Sequence, residues 1–420
     1  MTIRTTFSTL LAFVCCLCNT LLAGNWTIDT NTQIRLLPSY NMQRIDSMVA
    51  EGIRNHIFPG CQVLALHHND IIFYQNYGSL CYDTCTTVND QTMYDVASMT
   101  KSLATTMVVM KLYDDGILHL QDSVGNYLSY THQTPLAFLQ IDELLTHTSG
   151  LVAFIPFYKS IADSMVAHQY SDIYSIRVTD NFYLRNDIPI QFRKKIASTS
   201  VVDKKYVYSD LNFILLKDIV ETLLAQPMED FLAEWLYRPM GLHHTCFNPG
   251  SSFSVENIAP TENDKTFRHQ LVRGYVHDQS AAVLGGNGGN AGLFSNAMEI
   301  SKLLTMLMNG GQYAGERYLS DTTVKKFTST YPLHGCKRRA LGFDTPSFDV
   351  PSGVLPSQCS RFTFGHQGFT GTVFWCDPRD EVVYIFLSNR VYPDAYPNAL
   401  SRSRLRVKLH EEIYDGLGYK

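Results

Sequence analysis

Apolar residues recur at helical spacing in several segments of the chain. In residues 41–55, Ile45, Met48, Val49 and Ile53 fall on one face, which predicts an amphipathic helix. Similar patterns predict helices over 98–115, 210–224, 228–237, 296–308 and 400–415. Asn296 and Glu299 have the spacing of a capping box at the start of the helix predicted over 296–308.

Short apolar runs that predict strands lie near both ends of the chain. Residues 61–66 and 71–75 flank a polar turn and predict a hairpin, and further runs cover 361–364, 372–375 and 382–387. Helices dominate between these two groups of strands. The sequence therefore predicts an α/β (α+β) fold, with a mainly antiparallel sheet that is built from both termini, flanked by helices, and interrupted by an inserted helical lobe. We place the α/β lobe at 24–115 and 335–420, the helical lobe at 116–334, and the active site at their interface.

Composition limits the classes of function. Hydrophobic residues make up 45% of the 420 residues and charged residues 17%, which excludes a disordered protein. The formal net charge is -5 and no long basic run occurs, so we expect no nucleic-acid partner. His243, His244 and Cys246 are candidate metal ligands, but neighbouring residues seldom point at one ion. We therefore predict neither a metal nor a cofactor.

The first residues predict an export signal. Arg4 precedes an apolar stretch that ends near Ala23, so we expect residues 1–23 to be a cleaved signal peptide and the protein to be periplasmic or extracellular. Retention of this segment as a membrane anchor is the alternative, and we expect no transmembrane span in the mature chain. Removal of the leader leaves seven cysteines, an odd number, and the sequence does not settle whether Cys81 and Cys85 pair.

Ser98 and Lys101 stand three positions apart in a predicted helix, so their side chains lie on one face. A serine hydroxyl becomes an effective nucleophile when a neighbouring group takes its proton. A neutral lysine amine can take that proton, because burial lowers the pKa of lysine. Alone the pattern is weak, since S-x-x-K also describes an ordinary exposed helical turn.

Two further segments carry chemistry that can join this pair. Tyr208 can relay a proton beside a cationic lysine, although Tyr208-Ser209-Asp210 also fits a plain helix start. Residues 364–372 (FGHQGFTGT) lie between predicted strands, and their glycines permit close approach of the backbone to a substrate. A free amide there can stabilise an oxyanion, while an ordinary tight turn is the other interpretation.

Taken in order, these motifs resemble those of the serine β-lactamase and penicillin-binding-protein superfamily, in its class C-like branch. That branch includes class C β-lactamases, D,D-peptidases, D-aminopeptidases and esterases, and its motifs run S-x-x-K, Y-x-N, then K-T-G or H-x-G. The segments 144–151 (LLTHTSGL) and 285–294 (GGNGGNAGLF) are also typical of the branch. The resemblance covers about residues 62–390 and implies a β-lactamase/transpeptidase-like fold.

The resemblance also implies roles for individual residues. Ser98 would be the acylated nucleophile, Lys101 its base or proton relay, and Tyr208 the residue that completes the proton network. The oxyanion hole would use the backbone N–H groups of Ser98 and Phe369.

His366 and Gly368 would form the strand wall opposite the nucleophile. Asp210 would occupy a substrate-binding position, and His147 would be structural rather than catalytic.

Two departures from the family pattern bear on the substrate. Asp210 replaces the usual Asn with a carboxylate, and His366 replaces the Lys of K-T-G with a side chain that is largely neutral at pH 7. Both changes count against binding of the carboxylate of a penicillin. We therefore expect a serine hydrolase that is an esterase or a D-amino-acid-specific peptidase, acting on a small acyl, D-amino-acid or peptidoglycan-like substrate.

Three other interpretations remain open at this point. The chain could be a class C-like β-lactamase, or a non-catalytic peptidoglycan- or ligand-binding protein on the same fold. Residues 286–291 also fit a loose dinucleotide-binding pattern. That pattern lacks the preceding strand and the acidic residue about twenty positions on, so we do not expect nucleotide binding.

Overall fold

The computed structural model describes residues 36–83, 86–347 and 353–419, so the predicted leader at 1–23 lies outside it. The helices are α1 Ser39–Arg54, α2 Thr106–Asp114, α3 Ile141–Leu145, α4 Ile188–Ala197, α5 Asp210–Leu224, α6 Met228–Leu232, α7 Gln279–Val283, α8 Ala297–Met308, α9 Asp321–Thr328, α10 Ala399–Ser403 and α11 Leu405–Gly416. Two π-helical turns, Lys101–Thr105 and Ala233–Tyr237, adjoin α2 and α6, and short 3-10 turns occur between the helices.

Fifteen strands occur in the described ranges. They are β1 Gly60–His67, β2 Asp70–Gly78, β3 Tyr94–Asp95, β4 Val166–Ala167, β5 Ile176–Thr179, β6 Phe182–Leu184, β7 Cys246–Phe247, β8 Asn263–Asp264, β9 Gln270–Leu271, β10 Leu293–Ser295, β11 Gln312–Tyr313, β12 Glu316–Arg317, β13 Phe364–Gln367, β14 Val373–Asp377 and β15 Val382–Ser388.

The main sheet joins the two ends of the chain. Its five antiparallel strands run in the order β13-β14-β15-β1-β2, and β1 pairs with β15 from Cys61 opposite Ser388 to His67 opposite Val382. The predicted β1–β2 hairpin is present, and its turn places His68 and Asn69 at positive φ. The fold is therefore the predicted α/β arrangement with a mainly antiparallel sheet.

Both faces of the sheet are covered, which explains why its strands are almost continuously apolar. Along β1, Val63 and Ala65 belong to a core cluster that includes residues of α1 and α11, while Leu64 and Leu66 belong to the larger core. Helix α8 packs against β1 and β15, although the sequence boundaries assign it to the helical lobe. The lobe boundaries themselves stay predictions.

Two predicted features differ in detail. The predicted helix over 400–415 is split between α10 and α11, because Arg404 has a φ of 55° and interrupts the helical hydrogen bonds. At the start of α8, Asn296 Oδ1 accepts a 2.8 Å hydrogen bond from Glu299 N. The Glu299 carboxylate does not complete the capping box, since it accepts instead from the backbone N–H groups of His243 and His244.

Two findings concern the cysteines and the membrane. Cys81 is disulfide-bonded, and the predicted candidate partner Cys85 lies outside the described residues. Among the described residues, the free cysteines are Cys61, Cys246, Cys336, Cys359 and Cys376.

Across the three described ranges, no helix has both the length and the apolar character needed to cross a membrane.

Candidate active site

Ser98 lies in a tight turn between β3 and the helical segment that continues into α2. The Asp95 carboxylate fixes this turn by accepting hydrogen bonds from Ala97 N at 2.8 Å and from His277 N at 2.7 Å. Ala97 has a φ of 49°, and Ser98 is half-buried. The π-helical turn Lys101–Thr105 follows directly, a feature that is frequent at functional sites.

Lys101 lies beneath the nucleophile with its side chain fully buried. Its Nζ is 3.2 Å from Ser98 Oγ, 2.7 Å from Asp210 Oδ1 and 3.0 Å from the carbonyl oxygen of Asn290. Burial alone would lower the pKa of Lys101, but the Asp210 carboxylate and the Tyr208 phenol raise it, and the net shift is upward. Lys101 is therefore an ammonium ion that donates hydrogen bonds, not a neutral amine ready to take a proton.

Tyr208 lies just before α5, and its ring faces this ammonium group. Lys101 Nζ is 4.9 Å from the ring centroid, within the range of a cation–π contact. The ring of His147 lies 4.4 Å from that of Tyr208 on one side, and the ring of His366 lies 6.0 Å away. Burial raises the pKa of Tyr208, while the Lys101 charge and hydrogen bonding to Ser98 and Lys101 lower it. The net shift is upward.

His147 supports the segment that carries Tyr208. Its Nδ1 accepts hydrogen bonds from the backbone N–H of Ser209 and from Asn212 Nδ2, both at 3.1 Å. Burial and the charges of Arg339 and Lys101 lower the pKa of His147 well below its usual value. A neutral, fully buried imidazole thus braces the start of α5.

The strand wall consists of β13 and the turn that follows it. His366 is buried, and its Nδ1–H donates to the carbonyl oxygen of Gln367 at 2.8 Å. Burial lowers the pKa of His366 to about 4, so this side chain is neutral at pH 7. A Cβ atom on Gly368 would lie 2.5 Å from the carbonyl oxygen of Val96, so only glycine allows the wall to approach the Ser98 turn this closely.

Phe369 is held between two side chains at the mouth of the cleft. The His277 ring stacks on it with centroids 5.4 Å apart, and the Arg390 guanidinium lies 4.5 Å from its centroid. Arg390 Nη2 also donates to the Phe369 carbonyl oxygen at 2.5 Å. In the described part of the chain, the backbone N–H groups of Ser98 and Phe369 donate to no protein acceptor. Both amides are available to a ligand.

One cavity of about 380 Å³ brings most of the predicted site residues together. It is lined by Ser98, Tyr206, Tyr208, Arg338, Asp344, His366, Gln367, Gly368, Phe369, Gly371, Arg390, Asn398, Leu400, Ser401 and Arg406. Lys101 and Asp210 do not line this cavity, but Lys101 contacts Ser98 and Asp210 in turn contacts Lys101. The seven residues singled out from the sequence thus belong to one site.

Two arginines from the C-terminal part of the chain give the cleft a cationic wall that sequence reasoning missed. Arg390 donates to backbone oxygens of Phe369 and Ala395, and Arg406 donates to the Thr372 carbonyl and to Gln367 Oε1. Neither forms an ion pair with a carboxylate among the described residues. Burial and the neighbouring Arg406 lower the pKa of Arg390 to about 10. The absence of a lysine at position 366 therefore does not leave the cleft without a fixed cation.

A second carboxylate beside Lys101 was also missed. Asp278 Oδ1 caps α7 by accepting from Ala281 N at 2.8 Å, and it accepts from Asn290 Nδ2 at 3.1 Å. Burial and the nearby Asp210 raise the pKa of Asp278. Within the described residues, no group of three or more His, Cys, Asp or Glu side chains could hold a metal ion.

A serine, a buried lysine and a tyrosine at the junction of an antiparallel sheet and a helical segment define an active-site-serine hydrolase. The chain belongs to the Beta-lactamase family, whose model matches residues 45–408. A relative from Escherichia coli O157:H7, named "Putative D-alanyl-D-alanine carboxypeptidase", is 30% identical over 417 residues, with 90% of each chain covered.

Solved structures of low sequence identity share the fold. EstCE1, described as a hydrolase with promiscuous acyltransferase activity, is 18% identical with a TM-score of 0.67, covering 89% of this chain and 98% of its own. A class C β-lactamase is 16% identical with a TM-score of 0.64, covering 89% of this chain and 98% of its own. The resemblance and the fold class predicted from the sequence are confirmed, as is the class of enzyme.

Proposed function

We propose that this chain is a serine D,D-peptidase that forms an acyl-enzyme on Ser98 and releases a C-terminal D-amino acid. The observation that carries the proposal is the position of Arg390 and Arg406 in the same cleft as Ser98, each without a carboxylate partner in the described part of the chain. Guanidinium groups suit recognition of a carboxylate. The D configuration is suggested by the name of the Escherichia coli relative.

In the proposed acylation, Ser98 Oγ attacks the carbonyl carbon of the scissile amide. Its proton passes to the oxygen of Tyr208 in the deprotonated, phenolate form, because Lys101 is already protonated. The raised pKa of Tyr208 makes this phenolate the minor form at pH 7. The negative charge that develops on the carbonyl oxygen is stabilised by the N–H groups of Ser98 and Phe369. The C–N bond then breaks, and the proton moves from Tyr208 to the departing amine. A water molecule hydrolyses the resulting ester and regenerates Ser98 by the reverse proton path.

A class C-like β-lactamase is the second candidate, because the same arginines could hold the carboxylate of a β-lactam. Asp210 stands where the family pattern has a neutral amide and can only accept hydrogen bonds, which bears on both candidates alike. The name of the Escherichia coli relative favours the peptidase. An esterase remains the third candidate, and it needs neither arginine. The three candidates differ in whether the leaving group carries a carboxylate and in whether the scissile bond lies in a strained ring.

The test compares a peptide that ends in D-Ala-D-Ala with the same peptide as its C-terminal amide. A chromogenic cephalosporin and a p-nitrophenyl ester are assayed beside them, with Ser98→Ala as the inactive control. We expect the free acid to be cleaved at least about tenfold faster than the amide, since a charged hydrogen bond contributes about 1.5–3 kcal/mol. Equal rates for acid and amide, or fastest turnover of the cephalosporin or the ester, would overturn the peptidase assignment.

We also propose that the protein is exported, on the basis of the apolar segment that ends near Ala23. Fractionation of cells that express the full chain with a C-terminal tag tests this. A shortened protein in the periplasmic or extracellular fraction is expected. A full-length protein in the membrane fraction would favour an N-terminal anchor, and a cytoplasmic one would contradict export.

A further inference from the structure

A fully buried guanidinium group lies behind the wall of the cleft. The side chain of Arg339 has no exposed surface and pairs through Nη1 with the carboxylate of Asp344. Its Nε and Nη2 are also buried and have no hydrogen-bond partner. Buried donors without acceptors destabilise a fold, so their presence beside an active site calls for a functional explanation.

The guanidinium group of Arg339 lies next to the strand wall. The backbone of Asp344 exchanges two hydrogen bonds with Gly365, at 2.8 and 3.0 Å, directly before His366. Asp344 lines the same cavity as Tyr208 and His366. Arg339 thus lies immediately behind the residues that face the substrate.

The two histidines beside Tyr208 supply no positive charge. His366 Nδ1 donates to a carbonyl oxygen, so in the neutral ring its Nε2 carries the lone pair. His147 Nδ1 accepts from a backbone N–H, so its Nε2 carries the proton. Both Nε2 atoms are buried without partners. Burial lowers the pKa of each histidine, and the charge of Arg339 acts in the same direction. At His366 the carboxylate of Asp344 opposes this effect.

Lys101 and Arg339 are two cations that act on Tyr208, and Arg338, Arg390 and Arg406 line the same cavity. Lys101 contacts the ring directly, and the electrostatic attraction between Arg339 and Tyr208 raises the pKa of the guanidinium. Opposing them is the carboxylate of Asp210, which raises the pKa of Tyr208. Asp344 lines the same cavity, and its negative charge opposes the positive charge of Arg339.

We propose that Arg339 is a positioning residue for the reaction, and that its buried charge stabilises the phenolate form of Tyr208, which accepts the proton of Ser98. Arg339 thereby supplies, from behind the strand, the positive charge that a lysine at position 366 would have supplied from the strand itself. This inference rests on the proposed role of Ser98 as the nucleophile.

Substitution of Arg339 and substitution of Asp344 are expected to change the labelling rate of Ser98 in opposite directions. In Arg339→Gln the loss of a cation raises the pKa of Tyr208, so labelling of Ser98 by a fluorophosphonate becomes slower and its pH profile moves up by at least about one pH unit. In Asp344→Asn the loss of an anion lowers the pKa of Tyr208. Labelling at a fixed pH below the pKa of Tyr208 therefore becomes faster than in the unmodified protein. Arg339→Lys, which retains the charge, restores much of the rate.

The assay measures labelling rates by intact-protein mass spectrometry between pH 6 and 10, with Ser98→Ala as the control for the labelled site and circular dichroism for folding. Shifts of opposite sign support the inference. Slower labelling in both variants with unchanged pH profiles would mean a merely structural pair and would overturn it.

If Arg339→Gln does not fold, Asp344→Asn alone tests the inference: faster labelling at a fixed pH supports it, and slower or unchanged labelling overturns it. Absence of labelling in the unmodified, folded protein would instead contradict the proposed role of Ser98, and the two failures are thereby distinguished.

Discussion

The ammonium group of Lys101 lies 2.7 Å from the carboxylate of Asp210 and 3.2 Å from the hydroxyl of Ser98. The ion pair holds Lys101 in its protonated form, so the residue at the position of the family's proton acceptor acts as a fixed cation. In the proposed reaction, the proton of Ser98 then passes to another group, and Tyr208 is the one that faces it.

Substitution of Asp210 tests whether its carboxylate keeps Lys101 protonated. Asp210 raises the pKa of both Lys101 and Tyr208, so Asp210→Asn lowers both. We expect the rate of fluorophosphonate labelling to reach its maximum at a pH that is lower by at least about one unit. Asp163→Asn, on an exposed surface, is the matched control and leaves the profile unchanged. A profile that does not move in Asp210→Asn would show that Asp210 does not set the protonation of the site.

Recognition of a leaving-group carboxylate can be tested at Arg406. In Arg406→Gln we expect KM for a peptide with a free C-terminal carboxylate to rise by roughly tenfold or more, because a charged hydrogen bond is lost. Cleavage of the corresponding C-terminal amide should be unaffected. Arg402→Gln, an exposed arginine on the adjacent α10, is the control. Equal losses on acid and amide would contradict a role in carboxylate binding.

The close approach of the strand wall depends on Gly368. In Gly368→Ala the new Cβ atom would overlap the carbonyl oxygen of Val96 and the hydroxyl of Thr372, so the backbone that carries Phe369 must shift. Misplacement of one oxyanion donor typically costs about a hundredfold or more in rate. We expect such a fall in Ser98 labelling with little change in the melting temperature. A labelling rate equal to that of the unmodified protein would remove the Phe369 amide from the mechanism.

Acid should destabilise the fold through buried histidines. Burial lowers the pKa of His410 to about 3 and that of His366 to about 4. Between about pH 6.5 and 4 the unfolded chain binds protons at these positions and the folded chain does not, so stability falls as pH falls. Each group contributes a slope of about 1.4 kcal/mol per pH unit in this window.

The variant His410→Phe tests this contribution, because it keeps the ring that stacks on Tyr384 and removes the titrating group. Urea unfolding at pH 7.0, 5.5 and 4.5 should show a smaller loss of the free energy of unfolding in the variant than in the unmodified protein. Parallel curves would mean that other groups cause the acid sensitivity.

Periodicity was sufficient to predict the main elements. The helix predicted over 210–224 matches α5, and the predicted hairpin matches β1 and β2 to within a few residues. These elements are largely buried in the core, so their apolar pattern follows directly from burial. The break at Arg404 was not predictable in the same way, because a single left-handed residue leaves the hydrophobic pattern almost unchanged.

The site was predictable where chemistry follows local motifs. Ser98, Lys101, Tyr208, His366 and Gly368 each lie within a short recognisable pattern, and the structure places them together. Arg339 and Arg406 belong to no such pattern. Arg406 reaches the cleft, and Arg339 the space behind its wall, only because distant segments pair in the sheet and pack against it. One sequence therefore carried no signal for their positions.

In the proposed reaction, the contact between Arg390 and Phe369 would link recognition of the leaving group to the geometry of bond cleavage. Arg390 holds the carbonyl oxygen of Phe369, the residue whose backbone N–H is the second proposed donor to the oxyanion. A substrate carboxylate on Arg390 would steady that residue while the tetrahedral intermediate forms. Selectivity for a free C-terminus should therefore appear in kcat as well as in KM, because energy from a remote contact is used at the reacting carbon.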